Sequence, residues 1–202
     1  MKRLVIYVHG KGGKAEEAEH YKPLFVGWNV IGFDYQSQNP WEVQGEFPIF
    51  FEKQKKKYNS VILIANSIGA FFAMNTLSEK QVDKALFISP IVNMEKLINN
   101  MMTLANITEK ELCARKEIPT EFGETLSWDY LCYVRKHPLQ WNVPTNILYG
   151  DRDNLTSFKT MSEFSKQIRA PLTIMKGGEH WFHTDEQMKF LDDWVKKSIE
   201  QS

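Results

Sequence analysis

The sequence predicts an α/β protein, a three-layer αβα sandwich built on a mostly parallel sheet of six strands. Two observations carry this. Short apolar runs alternate along the chain with longer amphipathic ones, the pattern of stacked βαβ units. Glycines and polar residues then cluster directly after several of the apolar runs, where strands end. At 202 residues, 43% of them hydrophobic, the chain has the size of one domain with a full core.

Strands are expected near residues 3–8, 28–34, 60–66, 83–89, 145–150 and 171–176, with helices near 14–26, 42–57, 68–78, 156–168 and 184–199. The first strand, Leu4-Val5-Ile6-Tyr7-Val8, follows two basic residues and superficially resembles a signal peptide. Its apolar core is too short for one, and no small-residue cleavage site follows. The helix over 42–57 ends in Lys53-Gln54-Lys55-Lys56-Lys57, a cluster that suits the negative end of a helix dipole. The third strand, Val61-Ile62-Leu63-Ile64, is rich in β-branched residues and leads into Ala65-Asn66-Ser67-Ile68-Gly69. In the last helix Met188, Leu191, Val195 and Ile199 share one face. Thr184 and Gln187 form its capping-box pair.

From Ile91 to Asn142 no strand-like run occurs. Met94, Leu97, Met101 and Leu104, then Leu126, Tyr130 and Tyr133, recur at helical spacing. A structureless loop of that length is rare in a compact domain. The reading is therefore a helical cap insertion at about 91–142 within a single domain, 1–202. Trp128, Tyr130, Tyr133 and Trp141 either form that cap's own core or line an acyl pocket.

Composition excludes several functions. Lys plus Arg and Asp plus Glu are 25 each, a net charge of zero, so the basic excess of a nucleic-acid binder is missing. No apolar run approaches the roughly 20 residues of a membrane span. The two cysteines, Cys113 and Cys132, lack metal-type spacing and are read as free thiols of a cytoplasmic protein. The dispersed glycines form no phosphate loop, and no histidine–carboxylate cluster has metal spacing, so neither cofactor nor metal is expected. Nothing in the chain sets an oligomeric state.

Ser67 stands in a small-x-Ser-x-small turn between an apolar strand and a helix-compatible stretch, the layout of a nucleophile elbow. Ala65 and Gly69 are the small flanking residues. A serine here can equally be an ordinary helix N-cap. The other strand ends decide how far to take it, since ligands of an open parallel sheet bind beyond its carboxyl ends. There stand His9-Gly10-Lys11-Gly12-Gly13, Gly150-Asp151-Arg152-Asp153 and Gly177-Gly178-Glu179-His180. A serine hydroxyl needs a base to take its proton, and an imidazole held by a carboxylate supplies one. Backbone amides must face the oxyanion that forms. The amide of Ile68, at a helix N-terminus, is one donor. The second is expected from Lys11, with Gly12 as the neighbour that could replace it.

Serine, acid and histidine in that chain order resemble the α/β-hydrolases, and the likeness covers essentially the whole chain. The resemblance implies a minimal version of that fold, without the family's first two antiparallel strands, similar to small bacterial serine hydrolases. The family's Gly-x-x-Asp pattern picks Asp153 as the acid over Asp151, which is left to bond turn amides. Its Gly-x-x-His arrangement picks His180 over His183, and His9 shapes the oxyanion loop. The implied activity is hydrolysis of a small carboxylic ester through an acyl-enzyme on Ser67. Thioesterase, amidase and peptidase share that machinery, and a non-catalytic binding protein of the same fold is the alternative from another class. A dehalogenase is disfavoured, because that family has aspartate at the elbow.

Overall fold

The computed structural model describes residues 1–200. In chain order its strands are β1 (Arg3–Val8), β2 (Asn29–Gly32), β3 (Ser60–Asn66), β4 (Lys84–Ile88), β5 (Glu117–Pro119), β6 (Thr125–Ser127), β7 (Thr145–Gly150) and β8 (Leu172–Met175). Its α-helices are α1 (Pro40–Lys55), α2 (Ser67–Thr76), α3 (Met94–Leu104), α4 (Glu109–Arg115), α5 (Trp128–Lys136), α6 (Phe158–Gln167) and α7 (Asp185–Glu200). The chain forms two compact units, Asn93–Leu139 and the remainder on either side of it.

The larger unit contains a six-stranded sheet of order β2-β1-β3-β4-β7-β8, with every neighbouring pair parallel. All carboxyl ends therefore lie along one rim. Leu4 to Val8 are buried at every position, as expected of a strand covered on both faces. Side chains alternate between those faces. Val5, Tyr7, Ile62, Ile64 and Leu86 pack with Tyr21 and Phe25 and with Leu191, Trp194 and Val195 of α7. Behind the opposite face Phe33 stacks on Phe50 and meets Phe47 edge-on, and Phe47 in turn meets Phe72 of α2. Each such fully buried apolar side chain contributes about 1.5–3 kcal/mol. In α1, Asn39 caps the N-terminus by accepting the Glu42 N–H at 3.0 Å, and Pro40 occupies the first turn, where no donor is needed.

Two expected elements come out differently. The helix expected over 14–26 is a 3₁₀ segment, Ala15–Leu24. Pro23 near its end has no N–H to continue a ladder. The strand expected over 28–34 stops at Gly32, although Phe33 N–H still reaches the Tyr7 carbonyl at 2.8 Å. At Gly32 the 3₁₀ segment touches the sheet: a Cβ there would lie 1.9 Å from the Ala15 carbonyl oxygen.

The smaller unit is mostly helical but not wholly so. Asn93, Thr108 and Ser127 cap α3, α4 and α5 through their side chains. Between α4 and α5, β5 and β6 pair as an antiparallel hairpin that faces Ile118 with Leu126. The expectation of helix alone missed this hairpin, because three-residue strands leave no apolar run to read. Arg135 of α5 clasps Glu95 at 2.7 Å and Glu109 at 2.7 and 2.9 Å, joining all three helices. Trp141 belongs to the larger unit. It is buried against Phe87 and donates its indole N–H to Thr145 Oγ1 at 2.7 Å, so it is core and not pocket wall.

Replacing Gly32 by alanine forces its new methyl group into the Ala15 backbone. Overpacking of this kind costs about 3 kcal/mol. For a domain of this length that is a fall of roughly 10 °C in Tm by calorimetry, whereas an alanine at Gly45, where no atom lies within 4 Å of a Cβ, should cost nothing measurable.

Candidate active site

Ser67 is the first residue of α2 and follows β3 directly. Its backbone lies in the left-handed region at φ 50°, a conformation that a side-chain-bearing residue adopts at a cost of about 1–3 kcal/mol. The neighbours explain how it is held. A Cβ on Gly69 would lie 2.3 Å from the His9 carbonyl oxygen, and one on Gly10 would meet Ser67 Cβ at 3.2 Å. The elbow and the end of β1 therefore touch through two positions that have no side chain. The Ser67 carbonyl accepts the Ile91 N–H at 3.1 Å, which pins the turn from the far side.

His180, in the loop after β8, places Nε2 2.8 Å from Ser67 Oγ and Nδ1 2.7 Å from Asp153 Oδ2. A carboxylate can only accept, so the ring proton sits on Nδ1, and Nε2 is left to accept from the serine hydroxyl. The Asp153 side chain is fully buried. Its second oxygen accepts the backbone N–H groups of Leu155 at 2.7 Å and Thr156 at 2.9 Å, which fixes the carboxylate plane. Asp151 does something else: it accepts the Gly177 N–H at 2.6 Å, tying the loop after β7 to the loop after β8. The two loops meet where Gly150 faces Gly178, since a Cβ on Gly150 would lie 2.3 Å from the Gly178 carbonyl oxygen. His183 also lines the cavity that holds Ser67, with its Nδ1 2.8 Å from the Trp181 carbonyl.

Ile68 is in the first turn of α2, where backbone N–H groups have no acceptor inside the helix. Lys11 and Gly12 form the tip of the turn closed by Gly13 N–H on the Gly10 carbonyl at 3.1 Å. Both line the cavity that holds Ser67. His9 is not free to react: its ring stacks on Tyr35 at 4.3 Å, with Nδ1 2.8 Å from the Gly10 carbonyl. Tyr35 in turn donates to the His9 carbonyl at 2.9 Å. The cavity measures about 770 Å³, within the range of small-molecule sites. Leu155, Phe182, Met188 and Leu191 give it an apolar wall, and Glu17 and His20 a polar one.

Solved structures share the fold that carries these residues. Est1E from Butyrivibrio proteoclasticus superposes over 99% of this chain and 88% of its own, with a TM-score of 0.78 and 15% identity. Mouse alpha/beta hydrolase domain-containing protein 10 gives 0.75 at 15% identity, over 98% of this chain and 90% of its own. This chain has the α/β-hydrolase fold. The esterase Pf2001 of Pyrococcus furiosus shares it at a TM-score of 0.61 and 19% identity, over 98% of this chain and 81% of that one. In sequence, 76 residues are 36% identical to "Putative esterase/lipase 3" of Mycoplasma genitalium. That match covers 36% of this chain and spans only 27% of the Mycoplasma protein. No protein-family model matches the chain.

Within the α/β-hydrolase fold the expected site residues come together on one rim, but reading the sequence missed part of their surroundings. The Tyr7 hydroxyl donates to Glu17, and it accepts from Asn66 Nδ2 at 2.8 Å. Burial, with Tyr21 and Glu17 nearby, holds that phenol's pKa far above its ordinary value. His20 pairs with Asp192 at 2.7 Å on the cavity's other side. The capping pair is also modified. Thr184 accepts the Gln187 N–H at 3.3 Å, but the Gln187 side chain turns back to the N–H of His183. Among the described residues no helix is long and apolar enough to cross a membrane, and no group of three or more ligating side chains could hold a metal ion.

The geometry of the acid can be tested without any substrate. A histidine Nδ1–H bonded to a buried carboxylate gives a proton resonance well downfield of the amides. Asp153→Asn should remove that signal and Asp151→Asn should keep it; the reverse pattern would show that the aspartates have been assigned the wrong way round.

Proposed function

We propose that this protein is a serine hydrolase that cleaves a small carboxylic ester through an acyl-enzyme on Ser67. The observation that carries the reading is the hydrogen-bonded line Ser67–His180–Asp153, begun by a serine in a left-handed turn at the mouth of a cavity. Strain at a residue so placed is a pointer to function. The names of the Pyrococcus furiosus esterase Pf2001, which has this fold, and of the Mycoplasma genitalium "Putative esterase/lipase 3" support the reaction class.

In the proposed cycle Ser67 Oγ attacks the ester carbonyl carbon, and its proton passes to His180 Nε2. The carbonyl oxygen becomes an oxyanion facing the amides of Ile68 and Lys11. Collapse of the tetrahedral intermediate breaks the ester bond, and the leaving alcohol takes the proton from Nε2. Water then loses a proton to the same nitrogen and attacks the acyl carbon. The acid departs and Ser67 regains its proton. Throughout, Asp153 keeps the imidazole in the tautomer required and stabilises it once charged, and Asp151 serves the loop contact alone. No cofactor or metal takes part. The Asn93–Leu139 unit is assigned the role of cap, and thioester or amide substrates would use the same steps. The cytoplasmic location read from the unpaired cysteines belongs with this proposal.

Wild-type protein should label with a fluorophosphonate and turn over an activated short-chain ester, and Ser67→Ala should abolish both. Asp153→Asn should lower kcat by about 10⁴-fold and His180→Ala by about 10⁶-fold, the scale on which such triads fail, with Asp151→Asn losing far less. A wild-type protein inert to both reagents would end the catalytic reading.

A further inference from the structure

Two separate segments must supply the oxyanion amides, the elbow and the Gly10–Lys14 turn. The turn's contact with β3 is made of backbone and glycine, which offer close packing but no directional lock. A chain of side-chain hydrogen bonds supplies the direction. Glu17 lies one turn into the 3₁₀ segment, and its Oε1 accepts the Lys14 N–H at 3.0 Å, at the far end of the glycine turn. The same oxygen would lie 3.0 Å from a Cβ on Gly13, so the carboxylate packs directly against that turn. Its other oxygen accepts the Tyr7 hydroxyl. The Tyr7 oxygen accepts Asn66 Nδ2 at 2.8 Å, and Asn66 is the residue before Ser67.

The polarity of this chain is fixed. A phenol has one proton to give, and the acceptor-only carboxylate takes it. The oxygen's lone pairs are then left for the asparagine amide. Because burial holds the phenol protonated well beyond the ordinary tyrosine range, alkaline pH does not take the phenol's proton out of the order Asn66→Tyr7→Glu17←Lys14.

We propose that Tyr7 and Glu17 are positioning residues that clamp the Gly10–Lys14 turn to the Asn66–Ser67 elbow and so set the spacing of the two oxyanion donors. The proposal rests on the serine-hydrolase reading. Neither residue touches the reacting atoms. Both act through the loop and the elbow, so losing the clamp should weaken the transition state and leave ground-state binding alone.

The test measures kcat and KM for an activated short-chain ester, together with the affinity for a trifluoromethyl ketone, which forms a tetrahedral adduct with its oxygen in the oxyanion site. Tyr7→Phe and Glu17→Ala should each lower kcat by about 10- to 100-fold, the scale of a slightly misplaced group or a lost donor. KM should stay within about twofold, and ketone affinity should fall by the same factor as kcat. The double variant should be no worse than the worse single one, because both break one connection. Glu17→Gln, whose one amide oxygen can accept from the phenol or from the Lys14 N–H but not from both, should fall between Glu17→Ala and wild type. Glu17 is exposed to the cavity, so Glu17→Ala and Glu17→Gln carry the test alone if Tyr7→Phe fails to fold. Rates within twofold of wild type, losses that simply add, or a fall in kcat with ketone affinity unchanged would each overturn the clamp. An inert wild type overturns the serine-hydrolase reading itself, an outcome distinct from an active wild type whose clamp variants are equally active.

Discussion

Everything at the rim depends on holding the Ser67 backbone at a positive φ. That conformation is costly for a serine, so the surrounding packing must over-determine it. It does so by close approach of main chain to main chain. Gly69 lies under the His9 carbonyl and Gly10 lies beside Ser67, so the elbow is wedged against the end of β1 with no side chain between them. The helix behind the serine is buried from Gly69 through Met74, and β3 ahead of it is buried from Val61 through Ala65. Neither can shift to relax the turn. The hydroxyl is thereby presented at the sheet's edge, where it meets His180 Nε2 at 2.8 Å.

A second glycine contact does the same for Asp153 and His180. Gly150 and Gly178 let the loops after β7 and β8 approach within backbone distance. Arg152 N–H reaches the Gly178 carbonyl at 2.9 Å, and Asp151 N–H reaches the Met175 carbonyl at 3.1 Å. The two aspartates of that loop divide the work by position. Asp151 satisfies an amide of the neighbouring loop, which brings the loops together. Asp153, two residues further on, is turned inward and finds only the His180 ring and the amides of its own turn.

The strands were legible because a buried parallel strand is a continuous apolar run, and β1, β3, β4 and β7 match their expected spans to within about a residue. Periodicity says less where three-dimensional contact sets the boundary, as at Gly32, or where an element is three residues long, as in the β5–β6 hairpin. The same division holds at the site. Ser67, Asp153 and His180 could be picked out because each follows a strand at a recognisable distance from a glycine. Tyr7 and Glu17 could not. Tyr7 reads as one more apolar residue of a core strand, and Glu17 as one of three acids in a surface segment. Only the fold shows that the strand's last turn of side chains points a phenol at both the carboxylate and the elbow.

Three histidines line the cavity, and each has a carboxylate partner, so residue type alone does not distinguish them. His20 pairs with Asp192, with both side chains about one-third exposed. His183 lies 3.6 Å from Glu179, with both more exposed still. Water screens pairs of that kind, and they constrain a ring weakly. Asp153 has no exposed side-chain surface, so its attraction for the His180 ring is not shared with solvent, and two backbone amides prevent the carboxylate from rotating away. Its ring also has a second nitrogen aimed at a hydroxyl. The physical difference is therefore the burial of the partner together with what the far nitrogen faces, and both set His180 apart from the other two and support its proposed role as the base.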